Sequence, residues 1–72
     1  MNIEIEYCGM CGYEPRARAA RDLMLKTDKT ATVTLKKSGG GVFEITVDGK
    51  LAYSKKASGA FPDNGQILAT LT

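Results

Sequence analysis

Residues 2–15 read Asn2-Ile3-Glu4-Ile5-Glu6-Tyr7-Cys8-Gly9-Met10-Cys11-Gly12-Tyr13-Glu14-Pro15, and the fold turns on how this stretch divides. Ile3, Ile5 and Tyr7 alternate with Asn2, Glu4 and Glu6, which is the period of a strand buried on one side. The alternation ends at Cys8-Gly9-Met10-Cys11-Gly12. Pro15 then stands where helices often begin, because the first turn has no use for its missing N–H. The two cysteines therefore lie between a first strand and a first helix.

Working outward, Ala17, Ala20, Leu23, Met24 and Thr27 recur at helical spacing and form one face, with small alanines that let a helix lie close on a sheet. Arg18, Arg21, Asp22 and Lys26 fall on the other side, and Arg18 and Asp22 are one turn apart, within pairing reach. A second alternating run, about Ala31 to Lys36, follows the polar exit Asp28-Lys29. Strand, helix and strand in this order form a βαβ unit, whose two strands are parallel and whose crossover is right-handed.

After the glycine-rich turn Ser38-Gly39-Gly40-Gly41, Phe43, Ile45 and Val47 alternate with Glu44 and Thr46. Asp48-Gly49 marks a tight hairpin, with a second arm at about Leu51 to Lys55. Pro62-Asp63 looks like a helix start that Asp63 can cap, and Ile67, Leu68 and Leu71 supply an apolar stripe. The order is β-α-β-β-β-α. Strict alternation in most strands means that one sheet face is buried under both helices and the other stays open and polar. The expected architecture is an α/β, thioredoxin-like two-layer sandwich, a mixed four-stranded sheet with two helices on one face.

Seventy-two residues hold a single hydrophobic core, so residues 1–72 are expected to be one domain. A hydrophobic share of 43% and a charged share of 25% are those of a globular chain. The net charge of +2 and the scattered basic residues speak against a nucleic-acid surface. Lys36-Lys37 and Lys55-Lys56 read as solvated strand positions, although the second pair has the charge to attract the carboxylates of glutathione. No apolar run has the length of a membrane span, and Met1 to Tyr7 lacks the continuous apolar stretch of a signal peptide. The expectation is a cytoplasmic protein in which thiols are kept reduced.

In that setting Cys8-Gly9-Met10-Cys11 points to redox or metal chemistry. Zinc wants four ligands, whereas the chain offers two cysteines and no histidine, so a zinc site would have to bridge two chains or recruit carboxylates. A thiolate is the nucleophile in exchange, and the positive end of a helix, with Arg16 and Arg18 in its first turn, favours the anion. Cysteines three positions apart in a turn can also close a disulfide. The adjacent glycines and polar residues argue against two inert core cysteines. No carboxylate dyad, histidine base or phosphate-binding signature supports hydrolase or kinase chemistry.

Three blocks together are similar to the selenoprotein W, T and H group, the Rdx family. They are Tyr7-Cys8-Gly9-Met10-Cys11-Gly12-Tyr13 with Pro15; Gly41-Val42-Phe43-Glu44-Ile45 leading to Asp48-Gly49-Lys50-Leu51; and Tyr53-Ser54-Lys55-Lys56 followed by Gly59, Phe61 and Pro62. The resemblance covers roughly residues 3 to 68 and is nearest to selenoprotein W. It implies a thioredoxin-like fold and a thiol redox role with Cys8 and Cys11 as the catalytic pair and no bound cofactor. The partners implied are protein thiols or disulfides, with glutathione as a co-substrate or peroxide as an oxidant.

By thioredoxin analogy Cys8 attacks and Cys11 resolves. In selenocysteine-bearing members the selenium occupies the position of Cys11, which makes Cys11 the reactive residue and Cys8 its resolving partner, and the reading leans to that order. Sulfur in place of selenium implies slower peroxide chemistry. Thioredoxins also carry a cis-proline facing the dithiol, and neither Pro15 nor Pro62 is placed for that role. The loop Gly39-Gly40-Gly41 is expected to approach the pair instead. Gly9, Met10, Gly12, Tyr13, Gly40, Gly41 and Phe61 are the residues expected to shape the site. Met10 and Tyr13, with Phe61, would form an apolar rim for a partner, but the favoured reading of Phe61 is packing between helix and sheet, where it staples the last helix. Docking without turnover is the competing function, and the open sheet face leaves room for a homodimer.

Overall fold

The computed structural model describes residues 1–72. Its elements are β1 (Asn2–Cys8), α1 (Glu14–Thr27), β2 (Thr32–Ser38), β3 (Phe43–Val47), β4 (Lys50–Ser54), α2 (Lys55–Ser58) and α3 (Asn64–Ala69). The sheet order is β2-β1-β3-β4. β1 runs parallel to β2 and antiparallel to β3, and β3 and β4 form an antiparallel hairpin. This is the mixed four-stranded α/β sandwich expected from the alternation.

Burial follows the period of two. Ile3, Ile5 and Tyr7 of β1 are buried with Phe43 and Ile45 of β3, under Ala17, Ala20 and Met24 of α1 and Ile67 of α3. Asn2, Glu4, Thr32 and Thr34 lie on the other face, where Thr46 joins them around a shallow concavity of about 300 Å³. Thr27, expected on the apolar face of α1, is exposed. Its hydroxyl donates to the Leu23 carbonyl, closing the end of the helix. Arg18 pairs with Glu14 at 2.7 Å rather than with Asp22, which binds Arg21 at 3.1 Å.

The hairpin turns at Asp48 (φ 50°) and Gly49 (φ 82°), the two positive φ values that match the strand twist. Its second arm departs from simple alternation. Ile45 faces Tyr53 but Thr46 faces Leu51, so Ala52 is an extra residue. This bulge moves Leu51 to the open face, where it is exposed, while Tyr53 packs against the core.

The chain also makes one helix more than expected. Lys55–Ser58 is a single turn capped by Ser54, whose hydroxyl accepts from Ala57 N–H, and closed by Gly59 at φ 80°. Lys55-Lys56 is thus a helix start and not a strand end. Asp63 caps α3 as expected: its carboxylate accepts from Gln66 N–H at 2.8 Å, and Gln66 Oε1 accepts from Asp63 N–H at 2.9 Å. No helix is long and apolar enough to cross a membrane.

Candidate functional site around the Cys8–Cys11 pair

Cys8 is the last residue of β1, a central strand with partners on both sides. Its N–H donates to Val42 O at 2.9 Å, and Gly9 N–H donates to Ser38 O at 2.9 Å. The strand end is therefore held between the last residue of β2 and the residue before β3. Enclosed in this way, Cys8 is only 1% exposed, which corrects the expectation that flanking glycines keep both cysteines out of deep burial.

Cys11 lies in the turn beyond the sheet and is exposed. The turn is tied by Gly12 N–H to Gly9 O at 3.2 Å and by Tyr13 N–H to Cys8 O at 3.3 Å. Gly12 takes φ 76°, a left-handed conformation that a side chain would strain. The result brings the two cysteine Cα atoms to 5.3 Å, and a disulfide joins the sulfurs. Both cysteines precede α1, whose first residue is Glu14. Met10, between them, is 97% exposed, as the rim reading anticipates.

The glycine loop does meet the site, but through its ends. Ser38 and Val42 make the contacts, whereas Gly40 and Gly41 have open space around them. Positive φ values of 71° and 72° require glycine there, and close backbone approach to the dithiol does not. The glycine in close contact is Gly9, with the aliphatic stem of Lys37 lying over it.

Tyr13 and Phe61 meet edge to face at 4.7 Å, and Phe61 continues to Phe43 at 5.4 Å. Phe61 thus joins rim and core at once. Its segment is fixed by Tyr53, whose hydroxyl donates to Ala60 O at 2.6 Å. Two cations converge on these rings. The Arg16 guanidinium stands 4.0 Å from the Phe61 centroid. Lys55 Nζ is 5.2 Å from Phe61 and 5.6 Å from Tyr13. Of the arginines expected to add to the field at the thiols, Arg18 is spent on Glu14 and Arg16 lies on Phe61.

The contacts of Tyr53 with Ala60 and of Lys55 with Phe61 were not legible beforehand, because they form only once the chain folds back after α2. The one faint signal was the charge of Lys55-Lys56. No three His, Cys, Asp or Glu side chains are grouped closely enough to hold a metal ion.

The family model described as Rdx family matches residues 2–72. Migration and invasion enhancer 1 of Mus musculus and of Bos taurus are each 31% identical over 71 residues, 99% of this chain. The chain spans 62% of the length of these curated relatives. Among solved structures, a selenoprotein W-related protein from Vibrio cholerae superposes with a TM-score of 0.92 at 29% identity, covering 97% of this chain and 90% of the other. A protein from Bordetella parapertussis superposes with a TM-score of 0.91 at 28% identity, covering 97% and 91%. The fold is that of selenoprotein W-related, thioredoxin-like structures, and the paired cysteines are consistent with a thiol redox role.

Proposed function

The chain belongs to the Rdx family, and on that premise we propose that it is a thiol–disulfide redox protein in which Cys11 attacks and Cys8 resolves. The observation that carries this order is the unequal burial of two bonded residues: Cys8 is 1% exposed while Cys11 faces solvent. Exchange requires in-line access to a sulfur, and Cys11 offers it.

In the reducing direction the Cys11 thiolate attacks one sulfur of a substrate disulfide. A mixed disulfide forms and the other substrate sulfur leaves as a thiolate, which takes a proton. The Cys8 thiolate then attacks Cys11 Sγ, the Cys8–Cys11 bond closes, and the substrate departs as a dithiol. Two electrons have passed from protein to substrate. Glutathione reverses the cycle: one molecule attacks Cys11, a second attacks the resulting mixed disulfide, and glutathione disulfide is released. We place this cycle in the cytoplasm, where glutathione keeps thiols reduced.

The test is trapping. Cys8→Ser should form a stable adduct with glutathione disulfide at Cys11, read by mass, and Cys11→Ser should form one at least about ten-fold more slowly, because its remaining thiol is enclosed. A faster Cys11→Ser reaction would reverse the roles. A wild-type dithiol that never bridges in glutathione buffers poised between roughly −300 and −180 mV would end the redox reading. Exposed Met10 favours, as a second reading, docking of a partner without turnover. Partner binding that depends on redox state, with no turnover of any disulfide, would select it.

A further inference from the structure

Two cations without a carboxylate partner meet at one aromatic ring beside the reactive pair. Arg16 lies 4.0 Å from the centre of Phe61 and Lys55 5.2 Å from it. The chain's ion pairs lie elsewhere, Glu14 with Arg18 and Asp22 with Arg21, and the Asp63 carboxylate is occupied in capping α3. Gathering two like charges on one ring is unfavourable by Coulomb repulsion. The negative face of the ring offsets part of that, and an anion bound at the corner would offset the rest. Tyr13, which packs on the same Phe61, is two residues from Cys11 and bonds to Cys8 O through its N–H.

We propose that this corner selects the substrate of the redox reaction: a polypeptide whose reacting cysteine is flanked by Asp or Glu, with the carboxylates drawn to Arg16 and Lys55. The inference rests on the exchange role of Cys11. A polypeptide fits better than a small thiol because the surface has length. Exposed, apolar Met10 precedes Cys11 in the turn, and Tyr13, two residues after Cys11, leads to the aromatic–cation corner. A cleft of about 110 Å³, lined by Arg16, Phe43, Phe61, Pro62 and Ile67 among others, continues the surface. In the reaction a peptide thiolate attacks Cys11 Sγ, Cys8 leaves as a thiolate and is protonated, and a second peptide thiol displaces Cys11. The products are the protein dithiol and a peptide disulfide.

The experiment reacts the oxidised protein with three peptides that share a Gly-Cys-Gly centre and carry Glu, Gln or Lys on both sides. Each rate is divided by that peptide's rate with 2-hydroxyethyl disulfide, which removes differences in thiol reactivity. 2-Mercaptoethanol and glutathione are run alongside. At low salt the Glu peptide should react about ten-fold faster than the Lys peptide, and the ratio should fall toward one at high salt, where attraction between exposed charges is screened. Arg16→Gln/Lys55→Gln should bring the ratio to about two or below, whereas Lys26→Gln/Lys29→Gln, which removes the same charge from the C-terminal end of α1 and the turn after it, should keep it.

Equal rates for the three peptides, with 2-mercaptoethanol still opening the disulfide, would overturn the inference and leave the redox reading standing. Failure of 2-mercaptoethanol to open it would remove both. A ratio lost equally in the two double variants would assign the preference to net charge and overturn the corner. Glutathione accelerated as much as the Glu peptide would overturn the commitment to a polypeptide.

Discussion

A methyl group built on Gly9 meets the stem of Lys37, 2.8 Å from its Cγ and 3.0 Å from its Cδ. Contacts this short force the exposed Lys37 stem to swing aside or the turn to shift, which costs about 1 kcal/mol, the lower end of what overpacking a core costs. The backbone at Gly9 has no positive φ, so alanine is otherwise acceptable and restricts the unfolded chain, a gain of about 0.4–1 kcal/mol. Gly9→Ala should therefore be neutral to slightly destabilising in the wild-type background and turn stabilising beside Lys37→Ala. Urea unfolding of the four proteins in this cycle checks it, and additive effects would show that Lys37 is not what excludes the methyl. The position of the two cysteines between β1 and α1 and the exposure of Met10 were legible because spacing is local, whereas the burial of Cys8 was not, because strands distant in sequence enclose it. Lys37 read as a solvated residue, since its contact with Gly9 exists only once β2 lies beside β1. Arg16 and Lys55 were illegible as a pair for the same reason: their common ring belongs to Phe61, distant from Arg16 along the chain.

At the scale of elements, what could be read was what repeats or what caps. The βαβ unit and the Asp48-Gly49 hairpin stood out by period and turn chemistry, and α3 by Pro62-Asp63. Asp63→Ala removes the carboxylate that accepts from Gln66 N–H, and loss of such a cap costs about 1 kcal/mol. Because α3 contributes Ile67 to the core, this cost should appear in global unfolding. Normal global stability with raised amide exchange confined to 64–69 would mean that α3 frays independently. α2 and the bulge at Ala52 were not legible. Four residues show no helical period, and one inserted residue leaves an alternating pattern looking intact.

The link between α1 and β2 carries a pH signature. Asp28 accepts from Thr30 Oγ1 at 2.7 Å and from Thr30 N–H at 3.0 Å, and these bonds hold its carboxyl below the ordinary value, the hydroxyl contributing most. A depressed folded-state pKa gives stability that is present above the unfolded value and lost as pH falls through the folded one. The thermal midpoints of wild type and Asp28→Ala should therefore differ at neutral pH and converge in acid. An unchanged gap at low pH would remove the charge from the account.

For the whole molecule the question is whether the fold needs the bond that its chemistry would break. Ten buried residues join β1, β3, α1 and α3, and although Cys8 is buried with them, Cys11 is exposed, so the disulfide ties the core to a surface turn and does not bridge two elements of the sandwich. The bridged residues are three apart in sequence, and closing so short a loop removes little entropy from the unfolded chain, about 2 kcal/mol by the chain-entropy relation. A chain of 72 residues is held by about 4–11 kcal/mol in total. Reduction should therefore lower stability by about 2 kcal/mol or less and leave the protein folded, as a couple that cycles in place requires. Urea unfolding with and without a phosphine reductant measures the difference directly. A modest shift of the midpoint at constant slope supports a working dithiol on a fold that persists in both states. If the reduced protein is unfolded in buffer, the bond is a structural staple, and the exchange role assigned to Cys11 fails with it.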